Sequence, residues 1–74
     1  MSLLLGLELQ RAGLAFLEVK ARHTRDGGVR VDEIVCASGE DAALIDAWAA
    51  QKGLRAIVRV ATAEELAEYK RFDL

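Results

Sequence analysis

The stretch LEVKARHTRDG, Leu17 to Gly27, constrains the fold more than any other part of the chain. Leu17, Val19, Ala21 and His23 alternate without exception with Glu18, Lys20, Arg22 and Thr24. A period of two puts the first set on one face of a β-strand and the charges on the other. Wound as a helix, Leu14, Phe16, Leu17, Val19 and Ala21 scatter around the axis and leave no clean apolar face. Asp26-Gly27 then supplies a two-residue hairpin turn, because both central positions of a type I′ turn need positive φ, which Asp and Gly tolerate. That loop fixes a register. Arg25 opposes Gly28, His23 opposes Arg30, Lys20 opposes Glu33, Val19 opposes Ile34 and Leu17 opposes Cys36. The Lys20 and Glu33 pairing is the kind of cross-strand contact that contributes a few tenths of a kcal/mol.

The rest of the chain is built outward from this hairpin. Leu3, Leu5, Leu7 and Leu9 alternate with Leu4, Gly6, Glu8 and Gln10, which reads as a further strand. A three-residue loop, Arg11-Ala12-Gly13, with Gly13 in a left-handed bulge position, sets Leu7 opposite Leu17 and Leu5 opposite Val19. SGEDAALIDAWAAQKG reads as a helix, capped by Ser38 with Asp41 three residues on and stopped by Gly53. Its buried stripe is Leu44, Ala47, Trp48 and Gln51, with Ile45 at the edge and Trp48 as the anchor. LRAIVRV, Leu54 to Val60, is short and β-branched, and suits an inner strand parallel to the first one after a helical crossover. Thr62 and Glu65 form a second capping box, predicting a helix from Ala63 to about Tyr69, with Lys70 to Leu74 extended or frayed. No proline, repeat or low-complexity tract marks a linker. The expectation is one small α/β domain over residues 1–74, in the order β-β-β-α-β-α. It has antiparallel hairpins over 3–24 and 17–36 and a parallel fourth strand, giving sheet order 3-2-1-4. That is a ribonuclease-H-like half domain.

Composition excludes several functions. The 74 residues are 53% hydrophobic, and a chain this short buries only about 60% of its unfolded surface. Ten basic against twelve acidic residues give a net charge of -2 with the signs mixed, which provides no basic track for nucleic acid. One cysteine and one histidine fall short of a structural metal set, and Cys36 has no internal disulfide partner. No apolar run approaches the ~20 residues of a membrane helix, and the start has no signal-peptide pattern. A cytoplasmic location fits, without direct membrane insertion and with a partner able to hold the chain at a membrane.

LLGLELQRAGLAFLEVK resembles the opening of the actin-like proteins of the sugar-kinase and chaperone superfamily, whose first hairpin reads approximately L-G-I-D-x-G followed some residues later by E. Within that superfamily it looks most like the platform proteins of type IV and mannose-sensitive pilus assembly and of type II secretion. GLRAIVRVATAEELAEYKRFDL is similar to the stretch after their first helix. The resemblance implies that the chain is the N-terminal part of a larger actin-like domain. It implies that Glu8 is the acidic residue near the metal shell and that Gln10, Arg11, Ala12 and Gly13 form the phosphate loop. The pattern is degenerate here: Glu8 is one methylene longer than the usual Asp, and Gln10 stands where Gly allows close backbone approach. ATP would in addition need a second lobe, so no cofactor is expected from this chain alone. The implied function is a non-catalytic interaction and scaffold module, its partner an inner-membrane assembly protein.

Other residue types carry weaker readings. Cys36 reads as a small buried hydrophobe, with no basic neighbour to activate it. His23 reads as an exposed hairpin-tip residue and not as a general base. Arg55 and Arg59 flank Ile57 on one face of their strand, and on an inner strand they need partners from another lobe or chain. The alternative fold is the persulfide-carrier group of TusA and SirA, similar in length, in DAALIDAWAAQKG and in the ending EYKRF. Gln10-Arg11 occupies the place of its Cys-Pro motif, so that activity is absent even in that fold. An open sheet edge would favour a homo-oligomer under either fold.

Overall fold

A computed structural model describes residues 2–23, 28 and 30–71. The element order is α1 (Ser2–Arg11), β1 (Glu18–His23), β2 (Arg30–Cys36), α2 (Gly39–Lys52), β3 (Ala56–Val60) and α3 (Ala63–Arg71). The domain is therefore α/β, with three helices and a three-stranded mixed sheet among the described residues, in order β1-β2-β3. β1 and β2 are antiparallel, whereas β2 and β3 are parallel and joined by the α2 crossover.

The central hairpin has the register its alternation dictates. Val19 pairs with Ile34, Lys20 with Glu33 and His23 with Arg30, but the pairing expected of Leu17 with Cys36 does not form: the strand begins at Glu18, opposite Val35, and the Leu17 amide donates to that same Val35 carbonyl. The Asp26-Gly27 turn and Arg25 lie outside the described residues.

The opening segment is a helix and not a strand, which corrects the hairpin over 3–24, the β-β-β-α-β-α order and the sheet order 3-2-1-4. Leucine satisfies both periods, and Leu5 and Leu9, four apart, form a buried stripe on α1. The deciding signal is at its end. The Gly13 amide donates to the Gln10 carbonyl and the Leu14 amide to the Leu9 carbonyl, with Gly13 at φ 74°. This paired closure satisfies helix-end carbonyls and brings Leu14 onto the core beside Leu9. α2 ends identically: Gly53, at φ 66°, donates to Ala50, and Leu54 donates to Ala49. Gly-Leu is thus a helix stop at 13–14 as at 53–54. With the first strand gone, β3 has only the hairpin to join, and it pairs with β2. Neither the ribonuclease-H-like half nor the persulfide-carrier topology has this element order.

The sheet separates two chemistries. On one face Ile34 and Cys36 are fully buried with Leu5, Leu9 and Ile45, and Phe16, Val19, Trp48, Ala56 and Val58 pack around them. Burying each large aliphatic side chain contributes ~1.5–3 kcal/mol before conformational entropy is counted. α2 presents Ile45 and Ala49 to this core, one position on from the stripe expected, while Leu44, Ala47 and Gln51 are exposed. Trp48 is half-buried, with the Lys52 ammonium 5.3 Å from its ring centroid. Ser38 caps α2 by accepting from the Asp41 amide at 3.2 Å. In α3, Thr62 and Glu65 form the reciprocal box at 3.0 and 3.1 Å. That helix continues through Lys70 and Arg71, beyond the frayed end expected at Tyr69.

Gly6 sits inside α1, and a Cβ there would meet the Phe16 ring at 3.7 Å, an ordinary van der Waals contact. Gly6→Ala should therefore stabilise the domain by about 0.5–1 kcal/mol in chemical denaturation, from the lower entropy of the unfolded chain and the better helix propensity.

Candidate functional site

The second face of the sheet is charged. Glu18, Lys20 and Arg22 of β1, Glu33 and Val35 of β2, and Ile57 and Arg59 of β3 share it by alternation and register. Glu33 retains only 4% exposure. A buried carboxylate is costly unless its oxygens are satisfied, and both are. Oε1 accepts from Arg59 Nε at 3.1 Å, and Oε2 accepts from Arg22 Nη1 at 2.9 Å. Lys20, its direct cross-strand neighbour, does not bond it. Lys20 Nζ lies 3.8 Å from Glu65 and 3.9 Å from Glu18 instead.

Arg59 connects the sheet to α3. While its Nε serves Glu33, Nη1 and Nη2 form a fork on the Glu65 carboxylate at 2.7 and 2.8 Å. This two-point geometry is available to guanidinium and not to ammonium. The partners expected from another lobe or chain come from the same chain. The fork, with help from the Thr62 amide, holds the Glu65 carboxyl down from its ordinary 4.5 to about 2, and the Arg59 pKa is raised in return. At the far end of α3, the Tyr69 hydroxyl donates to Glu18, which pushes the phenol up to about 12. Glu18, Val35 and Arg59 are successive cross-strand neighbours. α3 is bonded to the outer two, and this roofs Val35, which is fully buried.

α3 and β1 enclose a cleft of about 260 Å³ lined by Glu18, Lys20, Glu65, Glu68 and Tyr69. Its polar groups are largely spent on one another, and no group of His, Cys, Asp and Glu among the described residues is arranged to hold a metal ion.

The expected phosphate loop takes a different form. Glu8, Gln10 and Arg11 are exposed on the last turns of α1, followed by Ala12 and Gly13. The Ala12, Gly13 and Leu14 amides donate to Glu8, Gln10 and Leu9. They close a helix C terminus, the negative end of the helix dipole, and offer no cradle of free amides to an anion. Cys36 is fully buried in the core, and burial, aided by the Asp41 charge, pushes its thiol up. His23 pairs with Arg30 in the backbone register as expected.

The two edges of the sheet differ. β1 carries Glu18, Lys20 and Arg22 along its length, the charge pattern that blunts an edge against further pairing. β3, AIVRV, has one charge, and it is turned inward to Glu33 and Glu65. The Ala61 amide donates to the Cys36 carbonyl, so by alternation Arg59 and Ile57 also face β2. Ala56, Val58 and Val60 then direct their amides and carbonyls to the open side. α3 leaves that side uncovered, because its bonds run to Arg59, Lys20 and Glu18, towards β1. Ile57 and Val60 are 45% and 43% exposed, and Leu54 just before the strand is exposed as well. Sequence reasoning took LRAIVRV for an inner strand. Its composition is that of one, and its place is at the edge.

No protein-family model, no curated protein and no solved structure matches this chain. No helix among the described residues is long and apolar enough to cross a membrane.

Two outcomes follow for the charged face. Arg59→Met leaves Glu33 with only Arg22, which is 64% exposed, and should cost about 1–3 kcal/mol in denaturant titration, whereas Arg22→Met should cost under about 1. The Glu65 carboxyl is depressed in the folded state, so its contribution is complete above the ordinary carboxylate range and is lost as pH falls through about 2. Thermal melts of the wild type should decline across that window, and Glu65→Gln should flatten the decline.

Proposed function

We propose that this chain is a non-catalytic protein-interaction module that receives an extended partner segment along the open edge of β3. The observation that carries the proposal is the contrast between the edges. β1 is blunted by three charged side chains, while β3 has no second strand beside it among the described residues and is flanked by exposed Ile57, Val60 and Leu54. Strand addition of this kind draws affinity from main-chain hydrogen bonds and specificity from alternate side chains. The chemically distinctive groups elsewhere support a structural role. Glu33, Arg59 and Glu65 satisfy one another, and the Cys36 thiol is buried.

The assignment to a pilus-assembly or type II secretion platform rested on a strand-turn-strand reading of residues 3–20, and the helical α1 withdraws that support. The persulfide-carrier alternative, similar in length, in DAALIDAWAAQKG and in the ending EYKRF, needs a strand leading into a helix near Gln10, where the chain instead leaves a helix. The interaction role depends on neither family.

Titration with a short extended peptide of alternating valine and threonine tests it. Backbone amide resonances of Ala56, Val58 and Val60 should move first and furthest. Shifts confined to β1 or to the α3 cleft, or no shifts at all in a chain that is monomeric, would overturn the proposal.

A further inference from the structure

We propose that the segment received by β3 is the β3 strand of a second copy of this chain, the two running antiparallel about a twofold axis at Val58. This rests on the interaction role just given and names its partner. The strand is complementary to itself in one register. With Val58 opposite its own copy, Ala56 faces Val60 of the second chain and Val60 faces its Ala56. These are the residues whose amides and carbonyls point outward, so the backbone groups of all three close against their counterparts. On the charged face, Ile57 then opposes Arg59 of the second copy, and the Arg59 stem lies along the exposed isoleucine.

Neighbouring registers are opposed by charge. Moving the axis to Arg59 sets two Arg59 side chains opposite each other, and moving it to Ile57 sets Arg59 opposite Arg55. Only the Val58 axis among these three pairs the whole strand and juxtaposes no like charges. The helices permit the approach. α2 lies over β2 and β3, and α3 is drawn towards β1. Adjacent strands are spaced ~4.8 Å apart, and the twofold places the two α2 helices side by side on one face of the joined sheet. The result is one continuous sheet across both copies.

Sedimentation equilibrium of the full chain over a wide concentration range tests the pairing with two variants. The mass should rise from one chain towards two. Val60→Pro removes a donor that faces only the open edge, as proline is tolerated in edge strands, and should abolish the rise while keeping the circular dichroism of the fold. Ile57→Lys sets lysine opposite Arg59 twice about the axis, and should raise the dissociation constant about tenfold or more. Inside one copy the same lysine lies beside Glu33, so the fold itself tolerates it, and this arm stands if the proline variant fails to fold. A dimer indifferent to Ile57→Lys overturns β3 pairing. A chain that stays monomeric while its β3 amides still answer the extended peptide overturns self-pairing and leaves the interaction role standing. A monomer that also ignores the peptide overturns both.

Discussion

β2 is the constraint on which the rest of the structure depends. It is the one strand in the described sheet with a neighbour on each side, and residues Glu33 to Cys36 are all buried. Alternation sends Ile34 and Cys36 into the aliphatic core beneath α1 and α2, and Glu33 and Val35 to the charged face beneath α3. A residue pair as different as Glu33 and Ile34 can be buried side by side only because the sheet separates their environments. The core supplies area removed from water, whereas the charged face supplies satisfied hydrogen bonds. Neither compensates for a failure of the other.

Arg59 is what lets the charged face be buried at all. A guanidinium can serve Glu33 through Nε and Glu65 through a fork at the same time, with each donor in one plane. That geometry binds α3 to the sheet with little apolar contact, since no residue of α3 is fully buried. α3 is thus attached through polar groups at both ends, Glu65 near its start and Tyr69 near its finish. Its docking is more sensitive to pH and salt than that of α1 or α2, whose attachment is apolar.

The hairpin was legible because alternation and turn chemistry agree, and the observed pairing of Val19 with Ile34 follows from them without tertiary information. Both helix N-caps were legible for the same reason: Ser38 and Thr62 announce a helix start through local bonds alone. The opening segment was misread because Leu3 to Leu9 is apolar at both helical and strand spacings, so periodicity could not decide. The Gly-Leu pair at 13–14 could have decided, since the same pair at 53–54 was correctly taken as a helix stop. A strand over residues 3–9 would have taken the place beside the hairpin, whereas with a helix there β3 joins β2 directly. On the charged face, Glu18, Lys20 and Glu33 could be placed together from the hairpin register, whereas Arg59, expected with two strands between it and Glu33 in the order 3-2-1-4, could not. The bond from Tyr69 to Glu18 could not, because it depends on where α3 comes to rest.

The unequal edges of the sheet limit how large an assembly can become. A sheet with two receptive margins polymerises, each added unit exposing another margin, and that is the route to fibres. Here Glu18, Lys20 and Arg22 seal one margin. Two chains that meet by the other leave no receptive margin among their described strands, and association terminates as a closed, countable particle.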